Sequence, residues 1–380
     1  MVEVKEFAGL RPIHPEKFCT KPYDVISKEE AEELRKEKEN AIHIILPKGE
    51  GEEKYENARR AFEESRKRML QDEPSIYFYE EKGREFSQRG FIFTVSLIDY
   101  EKGRIKKHEE TREEPLKDRI KHIEATKAHT GLVWTLFKSN KKIKNIMDEI
   151  MKREPILSFP KYGYIHTLWK ISDKETIEAI KSSFLPINLY IADGHHRMRA
   201  AYEYMKRYNS MEARYVMVFA ASDDEVRILP YNRVIRKIKN ENLLEELKKD
   251  FLVNELKKLK EPQKHEIQMY FKGKWWELIP KEIPEGVVDA LDVNILQKKI
   301  LEPILGIKDI RKDPNIFFIG GKMERKEYEK FIEEGNDAVF YLHPTSVEEL
   351  ERVADEQKNM PPKSTWFDPK VLTGMVFHEI

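Results

Sequence analysis

Short apolar runs bounded by polar turns, with amphipathic stretches between them, dominate the first two thirds of the chain. Two of these runs, residues 75–80 and 90–100, are joined by a polar turn around Gly83 and predict an antiparallel hairpin. Further strands are predicted at residues 41–46, 132–137, 164–171, 187–192, 215–220 and 226–229. Charged segments with helical spacing predict helices at 28–39 and 52–70. Mixed strands and helices of this kind predict an α+β fold.

The pattern changes near residue 240, where a charged helix begins a second region. Its further predicted elements are a hairpin at 266–271 and 274–279, helices at 293–304, 325–334 and 346–359, and strands at 316–319 and 338–342. Because 380 residues exceed the usual size of one core, we expect two domains, 1–240 and 241–380. The Pro-rich tail, residues 360–380, is expected to return to the first domain and complete its site.

Composition narrows the classes of function. Lys and Arg total 69 and Asp and Glu total 69, so no net charge attracts nucleic acid, which is not an expected partner. No apolar stretch reaches the ~20 residues that span a bilayer, and residues 1–7 lack a signal-peptide pattern. Cys19 is the only cysteine, which excludes an internal disulfide and a thiolate zinc cluster. We expect a cytoplasmic protein without a membrane partner, and its 36% of charged residues resembles a thermophile composition.

The segment with the strongest chemical pattern is an apolar strand that runs into Asp193-Gly194-His195-His196-Arg197. Gly194 permits a tight turn and a good helix former follows, so the segment predicts a strand, a turn and a helix N-terminus. The free N–H groups of a helix N-terminus bind anions, and the planar guanidinium of Arg197 suits phosphate. We therefore interpret this segment as a phosphate site.

The other side chains of this segment have more than one interpretation. Asp193 is suited to bind a metal ion, Mg²⁺ in a phosphate site, or to accept a proton, and His195 and His196 are suited to contact phosphate or transfer protons. Alternatively, the segment is only a capped helix, or an iron or zinc site built on the two adjacent imidazoles. Adjacent histidines point in different directions on a helix, so such a metal site is less natural here than at i, i+4 spacing.

Two polar segments offer further candidates. Tyr23 and Asp24 lie at a turn before a predicted helix, where Asp24 is a candidate acid–base residue or an ordinary helix cap. His108 and the pair Asp118-Arg119 lie in a polar stretch, where loops often carry function and where charged residues are also simply solvated.

The tail contains a third candidate. Lys363, Ser364 and Thr365 follow two prolines, and one cation with two hydroxyls suits a phosphate. The alternative is a docked tail held by Trp366 and Phe367.

Six segments together carry a resemblance to a known family. They are Pro22-Tyr23-Asp24-Val25-Ile26, Asn40-Ala41-Ile42-His43, His108-Glu109-Glu110-Thr111 with Asp118-Arg119, Ala192 to Arg197, Leu229-Pro230-Tyr231-Asn232-Arg233, and Met360 to Thr365. In this order they resemble the conserved prokaryotic family known as domain of unknown function 1015. The resemblance adds Arg119 to the phosphate-binding residues. It also adds Tyr23, His43, His108, Asn232 and Arg233 as substrate-binding residues.

The segment from Asp193 to Arg197 is also similar to the signature of the ParB/sulfiredoxin-like superfamily, which includes the archaeal free serine kinases. This resemblance implies a ParB/sulfiredoxin-like core with a second α+β domain. It also implies a phosphotransferase that acts on a small hydroxylated metabolite, with free L-serine giving O-phosphoserine as the first expectation. Asp193 or Asp24 would activate the hydroxyl, with Mg²⁺ and with ATP, ADP or pyrophosphate as the donor.

Two other classes of function remain as alternatives. The first is a ParB-like regulator that binds nucleotide and contacts DNA, which the zero net charge disfavours. The second is a sulfiredoxin-like redox enzyme, which needs a cysteine in the signature, whereas Cys19 is far away in sequence. The chain has neither a Walker A loop nor the protein-kinase motifs. The sequence does not determine the oligomeric state, for which a homodimer is one option.

Overall fold

The computed structural model describes residues 1–208, 210–258, 260–321 and 323–380, which form two compact units. The first unit is Met1–Val226 with Pro369–Ile380, and the second is Arg227–Asp368. Among the described helices, none has the length and apolar character needed to cross a membrane. The domain boundary expected near residue 240 and the extent of the returning tail stay predictions.

The strands are numbered in chain order. They are β1 (Val4–Lys5), β2 (Gly9–Pro12), β3 (Met69–Gln71), β4 (Ile76–Lys82), β5 (Ser87–Ser96), β6 (Ile105–Lys106), β7 (Ala128–His129), β8 (Val133–Phe137), β9 (Leu157–Lys161), β10 (Tyr164–Ile171), β11 (Leu189–Asp193), β12 (Tyr215–Ser222), β13 (Ile228–Leu229), β14 (Tyr231–Ile235), β15 (Phe251–Leu256), β16 (Ile267–Phe271), β17 (Lys274–Pro280), β18 (Ile316–Gly320), β19 (Ala338–Leu342), β20 (Trp366–Phe367) and β21 (Phe377–Glu379).

The helices are numbered in the same way. They are α1 (Pro15–Phe18), α2 (Lys28–Leu34), α3 (Ile42–Ile45), α4 (Glu53–Arg66), α5 (Leu97–Glu101), α6 (Glu113–Thr126), α7 (Lys141–Met151), α8 (Lys174–Phe184), α9 (His195–Tyr208), α10 (Leu243–Asp250), α11 (Asp292–Leu296), α12 (Arg325–Glu333) and α13 (Val347–Asp355). Short 3-10 turns lie at Tyr23–Val25, Glu212–Arg214 and Asp223–Glu225, and a π-helical segment at Gln297–Leu301 follows α11.

A large mixed sheet forms the centre of the first unit, in the order β6-β11-β8-β12-β5-β4-β10-β9, with β1 on β5. Strand β12 is parallel to β8 and antiparallel to β5, whereas β11 is antiparallel to β8. The register of β11 is irregular between Ile191 and Asp193, where the strand ends. Aromatic side chains pack against the sheet, and Phe184 of α8 contacts Phe93 and Phe137 at ring-centroid distances of 5.0 and 4.9 Å. The buried sheet fixes the position of Asp193 at the end of β11.

A smaller sheet in the first unit includes the end of the tail. Its order is β3-β2-β21-β7, and His378 of β21 pairs with Gly9 of β2 and His129 of β7. Residues 377–379 are therefore a structural strand of the first unit.

The second unit contains an antiparallel sheet in the order β15-β17-β16-β19-β14-β18, and a separate pair of β13 and β20. Its core contains Val234, Trp275, Tyr328, Val339 and Tyr341, all buried. The predicted α+β class is confirmed, as is the hairpin of β4 and β5, in which Tyr77 pairs with Ile92.

The strand predicted at residues 41–46 is wrong, because α3 occupies Ile42–Ile45. The buried Asn40 side chain accepts a hydrogen bond from the Ile42 N–H at 2.9 Å, which starts a helical turn. A short apolar run is compatible with a buried strand or a buried helix, and here the side chain of Asn40 favours the helix.

Candidate functional site

The strand–turn–helix expected around Gly194 is present. Strand β11 ends at Asp193, Gly194 has a φ of +90°, and α9 begins at His195. A Cβ on residue 194 would lie 3.0 Å from Nε and 3.1 Å from Cζ of Arg197. Both the left-handed backbone and the close guanidinium therefore require glycine at this position.

Arg197 folds back from the first turn of α9 onto the end of β11. Its Nη2 donates to Asp193 Oδ2 at 3.0 Å, Asp24 Oδ2 lies 3.8 Å from the same nitrogen, and Nη1 donates to the Leu132 carbonyl. Burial works to lower the pKa of Arg197, but the carboxylates Asp24 and Asp193 raise it above its ordinary value. The buried Nε has no hydrogen-bond partner among the described residues. Arg197 is thus a fixed cation with donor capacity remaining.

Asp193 lies between two cations. Its Oδ2 is 3.0 Å from Arg197 Nη2, and its Oδ1 is 3.7 Å from Nζ of Lys370, whose side chain is 12% exposed. Lys370 belongs to the tail segment of the first unit and was missed by sequence reasoning, which assigned the tail's phosphate-binding role to residues 363–365. A lysine just after Pro369 was the only signal that the sequence offered.

A cavity of about 40 Å³ in the first unit brings several predicted residues together. Its polar lining includes Tyr23, Arg119, His122, His129, Thr130 and Arg197. The Arg119 guanidinium lies over the Tyr23 ring at 4.0 Å from the centroid. This volume is enough for a few water-sized groups, which is the scale of a phosphoryl group.

Asp118 holds Arg119 in place from outside the cavity. Its Oδ2 is 2.5 Å from Arg119 Nη2, its Oδ1 is 2.6 Å from Lys54 Nζ, and the Tyr55 hydroxyl donates to it at 3.0 Å. Burial works to raise the pKa of Asp118, but Arg119 and Lys54 lower it to about 2. Asp118 is therefore ionised at neutral pH. Together with the positive charges of Lys54 and Arg119, it gives this group of three side chains a net charge of +1.

Three histidines surround the start of α9 and are neutral at pH 7. Burial lowers the pKa of His108 to about 4, and burial followed by the Arg112 charge lowers that of His196 to about 4. Burial and the neighbouring His108 hold the pKa of His195 well below its ordinary value. The His196 Nε2 accepts a hydrogen bond from the Arg112 backbone N–H at 3.0 Å. These imidazoles can accept protons or bind metal, but they do not act as cations towards phosphate.

His43 lies on α3, and its Nε2 is 3.1 Å from the Glu37 carbonyl oxygen. It is not among the described residues that line the cavity with Arg119 and Arg197. Its substrate-binding role stays a prediction.

The remaining predicted residues belong to the second unit. The side chain of Asn232 binds the Gly321 carbonyl, the Tyr328 hydroxyl and the Leu342 N–H. Arg233 donates to the Tyr231 and Lys363 carbonyls, and burial lowers its pKa to about 9. The side chains of Asn232 and Arg233 therefore both form hydrogen bonds with backbone groups of the second unit.

The tail candidates lie in the same unit. Ser364 Oγ donates to the Pro361 carbonyl at 2.6 Å, Lys363 Nζ lies 5.3 Å from the Tyr231 ring centroid, and Thr365 is half-buried. The phosphate-binding roles of Lys363, Ser364 and Thr365, and the substrate-binding roles of Asn232 and Arg233, stay predictions.

Comparison with known proteins gave one family and several solved structures. The family model described as "Protein of unknown function (DUF1015)" matches residues 4–294, and no curated protein matches. A free serine kinase in complex with AMP is 14% identical over 73% of this chain and 86% of its own, with a TM-score of 0.38. A conserved hypothetical protein from Pyrococcus furiosus is 15% identical over 73% and 90%, with a TM-score of 0.37. SbnI with C-terminal truncation from Staphylococcus aureus is 12% identical over 74% and 85%, with a TM-score of 0.40.

Proposed function

Because the chain belongs to the family described as Protein of unknown function (DUF1015), whose description assigns no activity, we propose its function from the chemistry of the site: a phosphotransferase that acts on a small hydroxylated metabolite. The observation that carries this proposal is the Arg197 guanidinium, which is held against the Gly194 turn at the start of α9 and shares a cavity with Arg119.

Anion recognition is the first step of the argument. Backbone N–H groups at the N-terminus of a fourteen-residue helix favour negative charge. Arg197 adds a planar cation with a buried Nε that has no hydrogen-bond partner among the described residues, and Arg119 adds a second guanidinium on the same cavity. Phosphoryl transfer depends chiefly on positioning and on neutralising charge, and these groups supply both.

Proton acceptance is the second step. In the reaction, the substrate hydroxyl oxygen forms a bond to the terminal phosphorus of the donor, the bond from that phosphorus to the leaving phosphate oxygen breaks, and the hydroxyl proton passes to a carboxylate. Asp24 is the better placed acceptor, because its side chain is 38% exposed and lies 3.8 Å from Arg197. Asp193 is 26% exposed and paired with two cations, which suits it to positioning Arg197 and Lys370.

Asp24 and Asp193 carry oxygen atoms of the kind that Mg²⁺ prefers, and their Oδ2 atoms lie 3.8 and 3.0 Å from Nη2 of Arg197. The guanidinium occupies the point between them, so Mg²⁺ would bind beside Arg197, with Asp24 as the more exposed carboxylate that would hold it. When bound, Mg²⁺ would neutralise charge on the donor phosphates. We propose ATP, ADP or pyrophosphate as the donor and L-serine as the first acceptor to test, giving O-phosphoserine.

The test incubates purified protein with Mg²⁺, each of the three donors and a pool of hydroxylated metabolites that includes L-serine, and follows the products by phosphorus NMR. We expect one new phosphomonoester, which Arg197→Ala abolishes and Arg207→Ala does not. Arg207 is a matched control because it lies on α9 in an exposed ion pair with Glu124. Nucleotide binding without phosphoryl transfer to any acceptor would contradict the proposal. That result would favour the alternative function, a ParB-like regulator that binds nucleotide.

A further inference from the structure

A second group of side chains lies beside the start of α9. His108 and Glu109 follow β6, His195 is the first residue of α9, and one nitrogen of each imidazole and one carboxylate oxygen lie within 4.8 Å of one another. We propose that His108, Glu109 and His195 together bind one divalent transition-metal ion of the zinc class. This inference goes beyond the proposed function, because it requires no phosphoryl transfer.

The burial of the two imidazoles supports a bound ion. His108 is 2% exposed and His195 7% exposed, and their rings are perpendicular with centroids 4.6 Å apart. Nδ1 of His108 is buried without a hydrogen-bond partner among the described residues. A buried polar atom without a partner is unfavourable, and a metal ion bound there would satisfy it.

The contact between the two histidines is weak enough for a metal ion to displace it. Nε2 of His195 lies 3.5 Å from the backbone nitrogen of His108, at the outer limit of a hydrogen bond. A metal ion at His195 would therefore displace only a weak interaction.

The ligand types indicate the class of metal. Two imidazoles and one carboxylate are the donors of three-ligand zinc sites that keep one position open. Mg²⁺ prefers oxygen ligands, so this group is chemically distinct from the carboxylates Asp193 and Asp24. His196 is outside the group, since its Nε2 accepts from Arg112. The second histidine ligand is thus His108, which is distant from His195 in sequence, and not the adjacent His196.

Metal binding by the whole chain tests the proposal directly. The protein is stripped with a chelator, dialysed and titrated with Zn²⁺ or Co²⁺ alone, and the bound ion is quantified by mass spectrometry and by the visible absorption of Co²⁺. We expect one ion per chain, with an affinity that falls at least about 100-fold in Glu109→Gln and in His108→Gln. His14→Gln is the control, because the side chain of His14 is 55% exposed and outside the group, so its substitution should leave the affinity unchanged.

Glu109 is only half-buried, so Glu109→Gln keeps the test valid if His108→Gln does not fold. Absence of a stoichiometric ion would overturn the proposal, as would unchanged affinity in Glu109→Gln. Because the readout is bound metal, failure of the phosphotransfer assay leaves this result unaffected, and the converse also holds.

Discussion

Arg197 and Asp193 are joined across the Gly194 turn, with Nη2 of the arginine 3.0 Å from Oδ2 of the aspartate. The guanidinium also covers the backbone of residue 194, since its Nε lies 3.0 Å from the place of a Cβ there. The end of β11, Gly194 and the first turn of α9 therefore together fix the position of the Arg197 guanidinium. An anion that binds Arg197 must approach from the side that Asp193 does not occupy.

Gly194→Ala should displace the Arg197 side chain. The added Cβ meets Nε at 3.0 Å, and the φ of +90° disfavours any L side chain. We expect a loss of stability of about 1–3 kcal/mol together with loss of phosphate or nucleotide binding. Urea denaturation and isothermal titration calorimetry measure the two effects.

Gly103→Ala is the matched control for that substitution. Gly103 has a φ of +69° with nothing within 4 Å of an added Cβ, so its substitution introduces backbone strain alone. It should lower stability and leave ligand affinity unchanged. Wild-type affinity in Gly194→Ala would contradict the role of the turn.

The sequence was sufficient for local features and insufficient for distant contacts. The turn at Gly194 was predictable because an apolar strand, a glycine and a helix former are adjacent in the chain. The contact of Asp193 with Lys370 and the approach of His108 to His195 join residues far apart in sequence. Hydrophobic periodicity specifies elements and not the pairs of polar side chains that those elements bring together. The wrong prediction of a strand at residues 41–46 has a local cause, the hydrogen bond from the Ile42 N–H to the Asn40 side chain.

Arg197→Lys should keep the charge and lose the function. A lysine has one nitrogen, so it cannot bond the Leu132 carbonyl and Asp193 together in the geometry of the planar fork. We expect turnover of the phosphotransfer reaction to fall roughly 100-fold. Arg207→Lys, in the exposed pair with Glu124, should retain full turnover. A folded Arg197→Lys protein with wild-type turnover would refute the assignment of Arg197.

Stability should decrease as the pH falls below 7, because buried histidines must be protonated on unfolding. Burial lowers the pKa of His129 to about 4 from an ordinary value of 6.5. The folded state therefore binds fewer protons than the unfolded state, and the stabilisation present above pH 6.5 is lost between about 6.5 and 4. The expected slope is on the order of 1 kcal/mol per pH unit for each such group. Urea denaturation at pH 7, 6 and 5 measures the free energy of unfolding.

His129→Gln should flatten that dependence, and His14→Gln should not. The side chain of His14 is 55% exposed, which makes it a control for the loss of an imidazole alone. A slope that is identical in the wild type and His129→Gln would show that this burial does not control the acid sensitivity.

Substitution of two lysines in the tail tests which of them contributes to phosphate binding. The structure indicates Lys370, whereas the sequence indicated Lys363. Lys370 Nζ lies 3.7 Å from Asp193 Oδ1, so Lys370→Met should leave more negative charge beside a bound phosphate. We expect phosphate or nucleotide affinity to fall about tenfold, which corresponds to about 1.4 kcal/mol.

Lys363→Met tests the residue that the sequence favoured, which lies in the second unit over the Tyr231 ring. Weaker binding in Lys370→Met alone would assign the tail's contribution to Lys370, and weaker binding in both would support a site completed by residues 363–365. Unchanged affinity in Lys370→Met, measured by calorimetry on a protein of wild-type stability, would remove Lys370 from the site.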